Sequence, residues 1–317
     1  MSLEIYLPGI GITFDWPVMN GAGTCKTKEE ETYLAKSTVA AINFGSITIP
    51  QREGNTGKTF WADDFFTMNS IGLRNLGMKG YDKELPEMVK IAHEVGKSFW
   101  LSVAGFSPEE YAILSLFGFQ RGVDVVELDV ACPNVWKEGI QEQIACLNPF
   151  LLEEILECVE EAVGSDAKVV VKLSYLDSSR IKEIAKVISK AKVVKGVVAI
   201  NTIPDCQSYD EKGRSRIDVG NGLAGLSGPA IKPIALGQVC QLRKLLPPTI
   251  DTVGAGGISY ETFGKDVIDF KKAGAPVVQI TSILLQPARC DPKTWPATFA
   301  TLSGRYIEEL EKQGLPY

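Results

Sequence analysis

The chain holds a single histidine, no C-x-x-C pair and no apolar run near the roughly 20 residues that span a bilayer. Each absence removes a class of function. His93 falls in a stretch that reads as helix, residues 87–97, as a helix-surface residue, so histidine-based acid–base or metal chemistry is not expected. The seven cysteines, at positions 25, 132, 146, 158, 206, 240 and 290, are odd in number and widely spaced. That spacing gives no zinc or iron–sulfur site and no disulfide framework, and it fits a reducing cytoplasm. Met1-Ser2-Leu3-Glu4-Ile5 has no basic region leading into an apolar run, so no signal peptide is expected. Positive charge is also scarce. Lysine and arginine number 33 against 39 aspartates and glutamates, a net charge of −6, which disfavours nucleic acid and anionic membrane surfaces as partners.

What is present is an enzyme-sized soluble composition, 317 residues with 45% hydrophobic and 23% charged. Short apolar, β-branched runs alternate with helical patterns throughout. The runs fall at residues 18–20, 39–46, 98–104, 125–130, 168–173, 196–201, 252–254 and 277–281. Between them, residues 149–163 show helical spacing of Leu151, Leu152, Ile155, Leu156, Val159 and Val163, and stop at Gly164. Ser107 caps a helix opening at Pro108, and Asp177 or Ser178 caps another. Eight such units predict an α/β fold, a (β/α)8 TIM barrel formed by one domain over residues 1–317. A doubly wound sheet fits the same order of elements. Three long connections, 48–83, 133–148 and 202–227, each follow a strand and therefore belong on the C-terminal face, where barrels keep their active sites.

The run Val125-Val126-Glu127-Leu128-Asp129-Val130-Ala131-Cys132-Pro133-Asn134 concentrates the chemistry. Glu127 and Asp129 share one face of the strand, and Pro133 ends the pairing just after Cys132. A thiol where a strand opens into a loop is a candidate acid or base; an isolated cysteine is equally a small buried hydrophobe. Lys172 ends an apolar strand, so it points into the barrel mouth or snorkels to solvent. Val253-Gly254-Ala255-Gly256-Gly257-Ile258 and Gln279-Ile280-Thr281-Ser282 end the last two strands, the usual place for a barrel phosphate site built from backbone amides.

These loops, taken in order, resemble the FMN-dependent dihydroorotate dehydrogenase family, in its soluble class 1 form. Asn20-Gly21-Ala22-Gly23-Thr24 is similar to the family's first flavin loop, and Arg52-Glu53-Gly54-Asn55 with Asn69-Ser70-Ile71-Gly72-Leu73-Arg74-Asn75 to its substrate-side loop. Glu-Leu-Asp-Val-Ala-Cys-Pro-Asn is similar to its catalytic loop. Val171-Lys172-Leu173-Ser174, Asn201-Thr202, Gly225-Leu226-Ser227-Gly228 and the two phosphate loops follow in family order. The resemblance implies oxidation of dihydroorotate in pyrimidine biosynthesis, with Cys132 taking the C5 proton and flavin N5 the C6 hydride. Lys172 would stabilise the reduced flavin. The resemblance assigns substrate contacts to Asn69, Ile71, Gly72, Leu73, Asp129, Asn134, Asn201 and Thr202. FMN contacts fall to Ala22, Gly23, Gly45, Ser46, Lys172, Gly228, Gly256, Gly257, Thr281 and Ser282. It further implies a homodimer, and either a soluble acceptor such as fumarate or a partner subunit carrying FAD and an iron–sulfur cluster. Cysteine rather than serine as base, and the lack of an N-terminal membrane-associating extension, argue against a quinone-using class 2 enzyme.

Two departures make the expected pocket more negative. Gly45 stands where the family has an active-site lysine, and Asp129 where it has an asparagine. Ile71 and Arg74 replace a usual methionine and proline. Arg74 is the candidate to restore the missing cation. The alternatives are a related ring lacking the carboxylate, a flavin protein without catalysis, or a non-redox barrel enzyme acting on a phosphorylated ligand.

Overall fold

Runs of residues buried on both faces pair side by side in parallel, as their uninterrupted apolar character requires. The computed structural model describes residues 3–137, 140–141 and 143–316. Eight parallel strands form its centre: β1 (Val18–Asn20), β2 (Ala41–Ile47), β3 (Ser98–Val103), β4 (Val125–Asp129), β5 (Val169–Leu173), β6 (Val194–Ala199), β7 (Asp251–Ala255) and β8 (Val277–Ile280). Their order is β1-β8-β7-β6-β5-β4-β3-β2. The ring closes between β1 and β2 through a side chain standing in for a peptide group. Asn20 Oδ1 accepts from the Asn43 N–H at 2.9 Å, Asn20 Nδ2 donates to the Asn43 carbonyl at 2.7 Å, and the Ala40 N–H donates to the Val18 carbonyl at 2.7 Å. This is the (β/α)8 barrel; strand order and closure dispose of the doubly wound alternative.

β6 begins two residues earlier than its sequence suggests. Gly196, the first residue of the expected run, lies inside the strand, and glycine suits it because a Cβ there would press on Ile10 Cδ1 and Val170 Cγ1 at 3.1 Å. Ile10 belongs to the turn of a hairpin, Ile5–Leu7 with Ile12–Phe14, that packs across the N-terminal end of the barrel. The Ile10 N–H donates to Asp251 Oδ2 at 2.8 Å, which ties that hairpin to the start of β7.

The barrel helices follow their caps. The Ser107 hydroxyl accepts from the Glu110 N–H ahead of Pro108–Gln120. The Asn148 side chain accepts from Phe150 and Leu151 at the start of Pro149–Val163, which ends on Gly164 with φ +81°. Asp177 caps Arg180–Lys190 by accepting from the N–H groups of Ser179 and Arg180. No helix among the described residues is long and apolar enough to cross a membrane.

Candidate active site

The connections after β2 and β6 are not plain loops. Phe60–Ala62, Thr67–Asn69, Ile203–Cys206 and Ala224–Ser227 pair into a four-stranded antiparallel sheet over the C-terminal mouth of the barrel. Beneath it lies a cavity whose walls include Asn69, Asp129, Cys132, Lys172, Asn201 and Gly257. The connection after β4 joins the same roof: Asn134 Nδ2 donates to Asn69 Oδ1 at 2.7 Å, and Asn55 Nδ2 to the Asn134 carbonyl at 3.1 Å. Residues 138, 139 and 142 of that connection lie outside the described residues.

The floor of the cavity is a buried polar network set by strand register. Lys172 on β5 pairs with Asp129, two residues beyond the pair Val170–Glu127 and on the same face, so its side chain reaches into the barrel interior. Lys172 Nζ lies 3.4 Å from Glu127 Oε1 and 3.4 Å from Gln279 Oε1. Glu127 Oε2 accepts in turn from Gln279 Nε2 at 2.5 Å and Asn43 Nδ2 at 3.0 Å. A buried ion pair is tolerable only when its remaining donors and acceptors are met, and Glu127 meets that condition with three contacts.

Asp129, two residues on along β4, faces the same interior. Its Oδ2 accepts from Ser46 Oγ and its Oδ1 from Asn201 Nδ2, both at 3.1 Å. Burial, reinforced by the nearby Glu127 charge and opposed by Lys172, holds its carboxyl above the ordinary range. Cys132 is half-buried at the cavity wall. Burial first, and the Asp129 carboxylate second, push its thiol up to about 12, against a hydrogen bond from the Asn134 backbone that lowers it. The result is a scarce but strongly basic thiolate.

At the other end, Gly256 and Gly257 line the cavity with φ of +89° and +86°. A Cβ on Gly257 would stand 2.2 Å from Lys232 Cα, so the turn exists only with glycine. Among the described residues, neither glycine N–H has a backbone acceptor. The Thr202 hydroxyl, also at the cavity, is buried without a hydrogen-bond partner. Unengaged amides, an orphaned hydroxyl and a lysine on one cavity fit a phosphorylated, heterocyclic cofactor such as FMN.

The residues expected from sequence at this site line one cavity, with two exceptions, Gly45 and Gly228. Gly45 braces the loop beside the cavity instead: its carbonyl accepts from the Gly23 N–H at 2.7 Å and its N–H donates to the Cys25 carbonyl at 2.9 Å. A Cβ there would lie 2.4 Å from the Ser102 carbonyl oxygen, which leaves no room for the lysine of the family pattern. Gly228 supports the roof; a Cβ would meet Phe66 Cα at 2.9 Å. Arg74 is exposed and does not line the cavity, so its side chain does not restore the missing cation. Lys26 lines the cavity and was missed, while Gln279 and Ser227, quoted only within their loop runs, line it as well. Gln279 was legible as an inward position of β8, whereas nothing local marked Lys26. His93 lies on the helix Leu85–Glu94, its Nε2 2.8 Å from Asp124 Oδ2, at the opposite end of the barrel. No cluster of three or more metal-ligating side chains occurs among the described residues.

The family model described as dihydroorotate dehydrogenase matches residues 6–291. Dihydroorotate dehydrogenase B (NAD(+)), catalytic subunit, of Oceanobacillus iheyensis is 32% identical over 283 residues, 88% of this chain and 86% of its own. The protein of the same name from Thermoplasma volcanium is 33% identical over 278 residues, 86% and 85% of the two chains. A crystal structure of the Eimeria tenella dihydroorotate dehydrogenase in complex with ferulenol superposes with a TM-score of 0.77, covering 99% of this chain and 85% of that one at 17% identity, which speaks to the fold. With most of its length matched by the family model and Asp129, Cys132, Pro133 and Asn134 gathered on one cavity, the chain belongs to the dihydroorotate dehydrogenase family of oxidoreductases.

Proposed function

We propose that the protein binds FMN and oxidises dihydroorotate to orotate, a step of pyrimidine biosynthesis. The observation that carries this reading is the convergence of Cys132, Asn69, Asn134 and Asn201 with Lys172 on one roofed cavity. When bound, FMN supplies the acceptor for the C6 hydride. The Cys132 thiolate takes the C5 proton, so that the electrons of the C5–H bond form the C5=C6 double bond as hydride leaves C6. Asn69, Asn134 and Asn201 offer amide donors and acceptors to the ring, and Lys172 holds positive charge against the flavin. Gly256, Gly257, Thr281 and Ser282 would hold the phosphate through their backbone and hydroxyl groups. The roof sheet excludes water from the reacting carbons.

The reading extends to residues 1–317 as one catalytic unit without a membrane segment, working as a homodimer in the cytoplasm. The sequence likeness to NAD-linked catalytic subunits supports an electron-transfer partner carrying FAD and an iron–sulfur cluster. Anaerobic mixing of the FMN-loaded protein with dihydroorotate tests the reaction: the flavin should bleach. Bleaching by dihydrouracil but not by dihydroorotate would assign the site to a neutral ring, and no bleaching by either would remove the reading.

A further inference from the structure

Two lysines line the cavity among the described residues, Lys172 and Lys26. Lys172 is engaged at the floor by Glu127 and Gln279. Lys26 is not balanced in that way. Its Nζ donates to the Arg74 carbonyl at 2.7 Å, a contact that uses one of the three donors of an ammonium and offers no full counter-charge.

The loop that carries Lys26 is rigidly placed. The Lys26 N–H donates to Glu30 Oε2 at 2.6 Å, and the Thr27 N–H donates to the same oxygen at 2.9 Å, within a capping box that opens the helix Lys28–Ala35. On the other side, Gly45 holds the loop through Cys25 and Gly23. The position where the family pattern has a lysine therefore serves here as the brace for a neighbouring lysine. Arg52, the other cation near Cys132, spends its Nε on the Gly72 carbonyl and its guanidinium on the Phe106 ring, and it does not line the cavity.

We propose that Lys26 is the specificity residue of this site, its ammonium taking the carboxylate of an anionic ring substrate in place of the lysine absent at Gly45. The proposal rests on the dihydropyrimidine reading above. Burial lowers the affinity of Lys26 for its proton, against the opposing carboxylates of Glu30 and Asp129. An arriving carboxylate offsets that desolvation by supplying the missing counter-charge, and the Arg74 carbonyl fixes the direction of approach. Arg74 thus contributes through its backbone rather than through its own charge.

The test is a binding comparison on FMN-loaded protein. Orotate and uracil, which differ by the carboxylate, are titrated into wild type, Lys26→Met and Lys26→Arg, followed by the flavin spectral shift and by calorimetry. Lys26→Met should weaken orotate by about 10- to 100-fold, as loss of one charge-assisted contact does. Uracil should change by less than about twofold, since only the charged contact is removed. Lys26→Arg should recover most of the orotate affinity. Equal weakening of both ligands, or no weakening of either, overturns the proposal, as does a wild type that binds uracil as well as orotate. Failure of the oxidation reading has a different signature, in which orotate binds with Lys26 dependence yet dihydroorotate leaves the flavin oxidised.

Discussion

Lys172 Nζ lies 3.4 Å from Glu127 Oε1, the two side chains almost sealed from solvent at the floor of the cavity. Their chain separation of 45 residues is bridged by the pairing of β4 with β5. The pair fixes a positive charge at the cavity floor without leaving a bare cation in the barrel.

Lys172→Met should therefore act twice. It leaves Glu127 buried without its counter-ion, which costs about 3–5 kcal/mol of stability, and it removes the charge held against the flavin. The double variant Lys172→Met with Glu127→Gln should regain most of that stability in denaturant titration. Flavin reduction should stay depressed, because the charge is still missing.

Cys132 and Asp129 predict an unusual pH profile. With its thiol up at about 12, Cys132 is protonated at neutral pH, so the thiolate fraction rises tenfold per pH unit on the alkaline side. Flavin reduction by dihydroorotate should climb with pH through the neutral range. Asp129→Asn removes the carboxylate that helps hold the thiol up, so its profile should move to lower pH. A shift in the other direction would contradict that cause.

Gly257→Ala probes the phosphate turn. The new Cβ would stand 2.2 Å from Lys232 Cα, at a φ of +86° that alanine adopts only with strain. Retention of FMN on gel filtration should fall by more than about tenfold, as expected when the binding backbone itself is displaced.

Glu31 offers a pH test of stability away from the site. It is fully buried, both carboxylate oxygens lack partners, and burial pushes its carboxyl up to about 7, partly offset by Lys28. The unfolded chain releases this proton near the ordinary carboxylate value, whereas the folded chain keeps it. The penalty is therefore absent at acid pH, grows as pH rises from about 4.5 to about 7, and is constant above. Glu31→Gln should stabilise the fold by about 3 kcal/mol at pH 8 and by almost nothing at pH 4.

The barrel and the place of Cys132 at its mouth were legible because doubly buried strands read as unbroken apolar runs, and because Pro133 marks where β4 opens beside Cys132. The roof sheet was not. Its strands are three or four residues long, and Asn69 pairs with Phe60 and Gly225 across very different chain distances. Arg74 carried a visible charge and invited the wrong assignment, while Lys26, just ahead of the Thr27 cap, carries no local mark of a cavity position. Which cation enters the cavity is decided by loop packing around Gly45, and no local pattern encodes that.

The central claim is that Cys132 removes a ring proton in concert with hydride loss to a flavin. Anaerobic stopped-flow mixing of FMN-loaded wild type and Cys132→Ala with dihydroorotate tests it most directly. Wild type should bleach, and Cys132→Ala should bind orotate normally yet bleach at least about 100-fold more slowly, the scale of a lost general base. Equal rates in the two proteins, or a wild type that binds flavin and is never reduced, would contradict the account.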